Sequence, residues 1–138
     1  MVLGVAELNA VIASSPFNRW LGQKVVRVGP DHIEIAVDWR EEFIGGAASG
    51  HAHGGIFSAL INAAGCYALA ARLGRTVPTV DLRCDFLRPG TAGALCVVAT
   101  IVSLQRAVAS VDVRIFDHRQ HLLACGRALY ATARANAP

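Results

Sequence analysis

The side chains best placed to do chemistry stand in one short stretch, His51-Ala52-His53-Gly54-Gly55, followed by Ser58 and Asn62. From Gly54 to Ala71 no residue is charged, and besides Cys66 the only polar side chains are Ser58, Asn62 and Tyr67. Alanine, the strongest helix former, dominates that run, and Ser58 and Asn62 are four apart, on one face of a helix. The pattern predicts a helix over about 54–73, so apolar that most of its sides must be covered. His53, Gly54 and Gly55 would feed its N-terminus, where free backbone N–H groups and the helix dipole favour developing negative charge. That is the equipment for polarising a carbonyl oxygen. The same glycines would also serve a plain helix-entry turn.

Other candidates carry less. His51 and His53 make a His-x-His pair, but no neighbouring carboxylate or cysteine completes the three or four ligands that zinc needs, so no metal site is expected. His53 has two readings, a general base or a hydrogen-bonded histidine at the helix entry. Glu41 and Glu42, in the preceding loop, are a possible reserve carboxylate or a solvated pair. Four cysteines (Cys66, Cys84, Cys96, Cys125) show no metal or redox spacing and sit in apolar runs, which fits reduced thiols and a cytoplasmic protein.

The elements that must hold the central stretch follow from period and breakers. Apolar spacing gives a short helix over about 2–13, closed by Ser14-Ser15-Pro16, and an apolar knot at Phe17–Gly22. Strands are expected at Lys24–Val28, His32–Trp39, Thr79–Leu87, Leu95–Leu104, Val108–Phe116 and Leu122–Thr132, with a frayed tail from Arg134. In Thr79–Leu87 the alternation sets Val80, Leu82, Cys84 and Phe86 on one face. Leu95–Leu104 is apolar on both faces, so both should be covered. The 138 residues read as a single α+β domain (1–138), an antiparallel sheet wrapped around one long central helix.

Composition narrows the partners. With 54% hydrophobic and only 17% charged residues, some apolar surface should be buried between subunits, as a homodimer or homotetramer. The net charge of +3 is spread along the chain, which argues against nucleic acid. The central run is short and weakly hydrophobic for a bilayer span, and no basic segment precedes an apolar one near Glu7, so neither membrane nor export signal is expected.

The motifs His53-Gly54-Gly55, Thr79-Val80-Asp81-Leu82 and Phe86-Leu87-Arg88-Pro89-Gly90, with Arg106 and Ala124-Cys125-Gly126, resemble the hotdog-fold thioesterases, in particular the phenylacetate-degradation (PaaI-like) branch. The resemblance covers nearly the whole chain from about Gly22. It implies hydrolysis of a small or aromatic acyl-CoA at a dimer-interface site, CoA being part of the substrate and no cofactor being needed. It makes the Gly54 N–H the carbonyl-polarising donor, with His53 and Gly55 beside it, Thr79 the hydroxyl that positions water, and Arg88 and Arg106 candidates for the CoA phosphates. Two positions depart from the pattern. The usual catalytic Asp or Glu, nine residues after the histidine, is Asn62, and the Asn expected six before it is Ala47. A carboxamide orients water but does not take its proton. The alternative implied is a non-catalytic acyl-CoA-binding protein.

Overall fold

The computed structural model describes residues 3–134. Helix α1 (Val5–Ser14) buries Leu8 and Ile12; the expected start at Val2 lies outside the described residues, as does the tail beyond Arg134. The knot after it is a helix, α2 (Pro16–Leu21). Ser15 caps it by accepting from the Asn18 backbone N–H, Pro16 opens it, and Gly22 closes it with φ 71°. These local signals outweigh the shortness of the segment.

Six strands, β1 (Gln23–Val28), β2 (His32–Val37), β3 (Thr79–Phe86), β4 (Leu95–Leu104), β5 (Val108–Phe116) and β6 (Leu122–Ala131), form one sheet in the order β1-β2-β4-β5-β6-β3. Every neighbouring pair is antiparallel. Helix α3 (Gly54–Leu73) lies across the concave face and packs against β2 to β6. Inward residues of the central strands (Ile33, Ile35, Val37, Leu95, Val97, Ala99, Val111, Val113 and Ile115) are none more than 2% exposed. Small residues on the helix, Ala64, Gly65 and Ala68, let it sit close to them. By length and composition α3 could cross a membrane, but it is the core helix of this fold.

Two strands depart from expectation. In β4, Leu95, Val97 and Ala99 are buried, while Cys96 and Val98 are half-buried and Val102 is 50% exposed, so its second face is open within one chain. In β3, Leu82 and Cys84 pack on the core, but Val80 and Phe86 are 63% and 56% exposed. A register shift between Thr79 and Asp81 breaks the alternation at Val80, and β3 is a sheet edge with β6 as its one neighbour.

Candidate active site

The mouth of α3 is built by backbone ties. His53 N–H donates to the Phe43 carbonyl at 2.7 Å, Ala52 N–H to Gly90 at 2.8 Å, and Gly45 N–H to His51 at 2.9 Å. His51–His53 is thereby fixed between the single helical turn Glu41–Phe43 and the β3–β4 connection. His53 is the N-cap: its backbone is extended and its Nδ1 accepts the Gly55 N–H at 2.8 Å. That bond matches the hydrogen-bonded reading of His53 and occupies the nitrogen nearest the helix. The neighbouring Gly54 N–H has no acceptor among the described residues. It borders a cavity of about 410 Å³ lined by Phe57, Phe86, Arg88 and Gly90. A Cβ on Gly54 would stand 3.2 Å from the Phe86 ring, so glycine is what leaves that donor open.

Farther along α3, the Thr79 hydroxyl donates to Asn62 Oδ1 at 2.5 Å. With Oδ1 engaged, the carboxamide offers its NH₂, a donor and not a base. The helix is held at this point by Tyr130, whose hydroxyl donates to the Asn62 carbonyl at 2.7 Å. Tyr130 is wholly buried and burial pushes its phenol up, so it stays protonated. It fits because residue 65 is glycine; a Cβ there would lie 2.2 Å from the Tyr130 hydroxyl.

Asn62 and Thr79 line a second cavity of about 430 Å³, covered by the α1–α2 corner through Val11, Ser15, Phe17 and Asn18 and floored by Tyr67. Its far wall is polar. Asn18 donates to Ser15 Oγ at 3.1 Å and accepts from Gln23 at 3.0 Å, and burial pushes the Tyr67 phenol up to about 12. Cys66 faces the same space with its thiol bonded to the Val77 carbonyl and pushed up by burial, which makes it a poor nucleophile.

The Gly54 mouth and the Asn62–Thr79 pair do not meet within one chain. Gly54 and Asn62 are about 12 Å apart along the helix axis at 1.5 Å per residue, and they open into different cavities. Arg88 borders the Gly54 cavity, whereas Arg106 lies in the β4–β5 turn, at the opposite end of β6. Glu41 and Glu42 are exposed, Glu42 within 3.6 Å of Arg40, and neither lines these cavities. Ala47 is exposed in the preceding turn and brings no polar side chain. Among the described residues, no three His, Cys, Asp or Glu side chains group as a metal site.

A third cavity, about 520 Å³, adjoins the mouth and shares His51, Arg88 and Pro89 with it. His118, Arg119 and His121 of the β5–β6 turn complete its wall. The sequence carries no sign of this grouping, because the pairing of β3 with β6 is what brings the turn beside Arg88. A wider concavity, about 600 Å³, lies on the outer face of the sheet. There Arg127 grips Asp112 with bonds of 2.6 and 2.8 Å, and Arg83 lies 3.3 Å from Asp85.

Comparison with known proteins points the same way. The thioesterase superfamily model matches residues 49–124. The medium/long-chain acyl-CoA thioesterase YigI of Escherichia coli is 28% identical over 130 residues, covering 83% of this chain and 84% of that protein. The X-ray structure of a protein from the thioesterase superfamily is 37% identical, with a TM-score of 0.89 over 92% of this chain and 96% of that one. The PaaI protein of the E. coli phenylacetic acid degradation operon shares the fold, with a TM-score of 0.78 at 21% identity over 91% and 93% of the two chains.

Proposed function

Because this chain belongs to the thioesterase superfamily and is a thioester hydrolase, we propose that it cleaves small or aromatic acyl-CoAs at a site shared by two copies of the chain. The observation that carries the reading is the unpaired Gly54 N–H at the N-terminus of α3, open to a cavity. The thioester carbonyl oxygen accepts from that donor, where the helix dipole also favours the oxyanion. Asn62 and Thr79 hold the water that attacks the carbonyl carbon; the C–S bond then breaks, the acyl group leaves as the carboxylic acid, and the proton given up by the water ends, by way of solvent, on the CoA sulfur. No carboxylate stands at Asn62 to take the proton of the water, which limits the rate.

The 12 Å between Gly54 and Asn62 supports the shared site. Pairing of two β3 edges about a two-fold axis would continue the sheet and set the two α3 helices antiparallel. Gly54 of one copy would then approach Asn62 of the partner subunit, and Arg106 would reach a mouth only from the partner subunit. A two-fold pair is the commonest closed assembly, and the exposed Val80, Phe86 and Leu87 are the surface it would cover. The cavity beside Asn62 is in the size range of small-molecule sites and supports a compact acyl group. Four free thiols support a reducing, cytoplasmic setting.

Two other readings have support. The E. coli relative is named for medium and long chains, and Asn62 suits a protein that binds acyl-CoA without turnover. A thiol-release assay over short, long and aromatic acyl-CoAs separates all three. Fastest turnover of compact acyl groups is expected. A peak at medium or long chains would replace the substrate, and tight binding without release of CoA would replace the activity.

A further inference from the structure

The surroundings of Asn62 are as informative as its identity. Thr79 donates to Oδ1 of the carboxamide, and neither N–H of that group has an acceptor among the described residues, so both face the cavity free. No Asp or Glu stands in the wall of this cavity or of the one at Gly54. The ionisable side chains there are Cys66, Tyr67, His51 and Arg88. Burial pushes the Cys66 thiol and the Tyr67 phenol up, so both stay protonated. Asp81, the acid nearest to Thr79 in the chain, lines the outer face of the sheet instead. The rest of the wall beside Asn62 is neutral, with the polar groups of Ser14, Ser15, Asn18 and Thr76 set among apolar ones. The place where water must lose a proton is therefore rich in donors and free of negative charge.

We infer that the site takes acyl groups bearing a carboxylate of their own, as in the monothioester of a short dicarboxylic acid, and that this carboxylate is the base that Asn62 does not provide. The inference rests on the thioesterase reading and names a substrate class for it. Two carboxylates sharing one site do not both stay ionised, so an Asp at position 62 would oppose such a substrate. A carboxamide with two free N–H groups suits it, one holding the attacking water and the other an oxygen of the substrate carboxylate. Thr79, whose hydroxyl proton is given to Asn62, still has lone pairs to accept from the same water. The water passes a proton to the substrate carboxylate as its oxygen bonds to the carbonyl carbon. The oxyanion at Gly54 then collapses, the C–S bond breaks, and the carboxylic acid returns that proton to the CoA sulfur. The products are the free thiol and the dicarboxylic acid, whose new carboxyl group loses its proton to solvent.

The test compares succinyl-CoA with its near-isosteric neutral amide, succinamyl-CoA, on the full chain, with the spontaneous rates subtracted. Wild type should favour the carboxylate by about 10²–10⁴-fold in kcat/KM, the usual worth of a positioned general base. Its rate on succinyl-CoA should rise with pH as the substrate carboxyl ionises, near pH ~4 as for a side-chain carboxyl, and the amide should show no such step. Asn62→Asp carries the base on the protein and repels the anion, so the preference for succinyl-CoA over the amide should collapse to about one or reverse. Equal kcat/KM for the two thioesters in wild type overturns the inference and leaves the thioesterase reading standing. A preference that survives unchanged in Asn62→Asp also overturns it, because the selection then does not act at Asn62. If wild type hydrolyses aromatic or longer acyl-CoAs but neither of this pair, the substrate class is wrong and the activity is not. If it hydrolyses no acyl-CoA at all, the thioesterase reading fails and the inference with it.

Discussion

In the site proposed above, Gly54 supplies a donor that is in place and Asn62 stands where a base is absent. Gly54→Val should abolish turnover while leaving a folded protein. The new side chain meets only the end of the Phe86 ring, at 3.2 Å, and no backbone, but it shields the N–H from the thioester. Hydrolysis at the wild-type rate in a protein with unchanged circular dichroism would mean the carbonyl binds elsewhere. Asn62→Asp should raise hydrolysis by about 10²–10⁴-fold, the usual worth of a positioned general base, because the two side chains are nearly isosteric. Burial raises the pKa of the new carboxyl, whereas the Thr79 hydroxyl, donating to the charged form, lowers it. The gain should therefore grow with pH as the carboxylate ionises and then level off; a rate profile from pH 4 to 8 shows it. No gain at any pH would send the search for a base to His53 or to Glu41 and Glu42. The glycine mouth was legible because its logic is local: a charge-free run headed by His53-Gly54-Gly55. The Thr79 to Asn62 bond was legible only through a family likeness, since nothing in their spacing announces that β3 sets them together. Arg119 and His118 were not legible at all, and Arg106 could not be told from Arg88, because the end of the sheet at which a turn falls depends on strand order.

The central helix and the strands differ in how plainly they were written. β2 and β5 alternate cleanly because each turns one face to α3 and the other to solvent. β3 misled because it is an edge strand: with one neighbour and a bulge, Val80 need not keep the phase of Leu82 and Cys84. The small residues of α3 are a steric requirement as much as a propensity. Gly65→Val is expected to cost about 1–3 kcal/mol, the range for overpacking, because the branched side chain drives Tyr130 out and breaks its bond to the Asn62 carbonyl. Thermal unfolding should show the loss, and turnover should fall with it, since the same bond fixes the height of Asn62 on the helix. An unchanged melting temperature would show that Tyr130 moves aside without cost.

The whole molecule should be a dimer or a tetramer of this chain. Val80→Lys, placing a charge on the open edge of β3, should give monomers by light scattering at micromolar concentration and should lose activity at the same time. A wild-type monomer that turns over substrate would sink the shared site. The strand order has a further consequence, one that concerns synthesis rather than catalysis. β3 pairs with β6 and with no other strand, so on the ribosome Thr79–Phe86 emerges long before the chain reaches Leu122. Through that interval α3 can already pack on α1, β2, β4 and β5, but Val80, Phe86 and Leu87 have no strand of the sheet to join. Such non-local pairing is slow to form and leaves apolar edges open to other chains. The nascent polypeptide therefore cannot assemble its hydroxyl–carboxamide pair piecemeal; the last strand to be translated is the one that sets Thr79 in place.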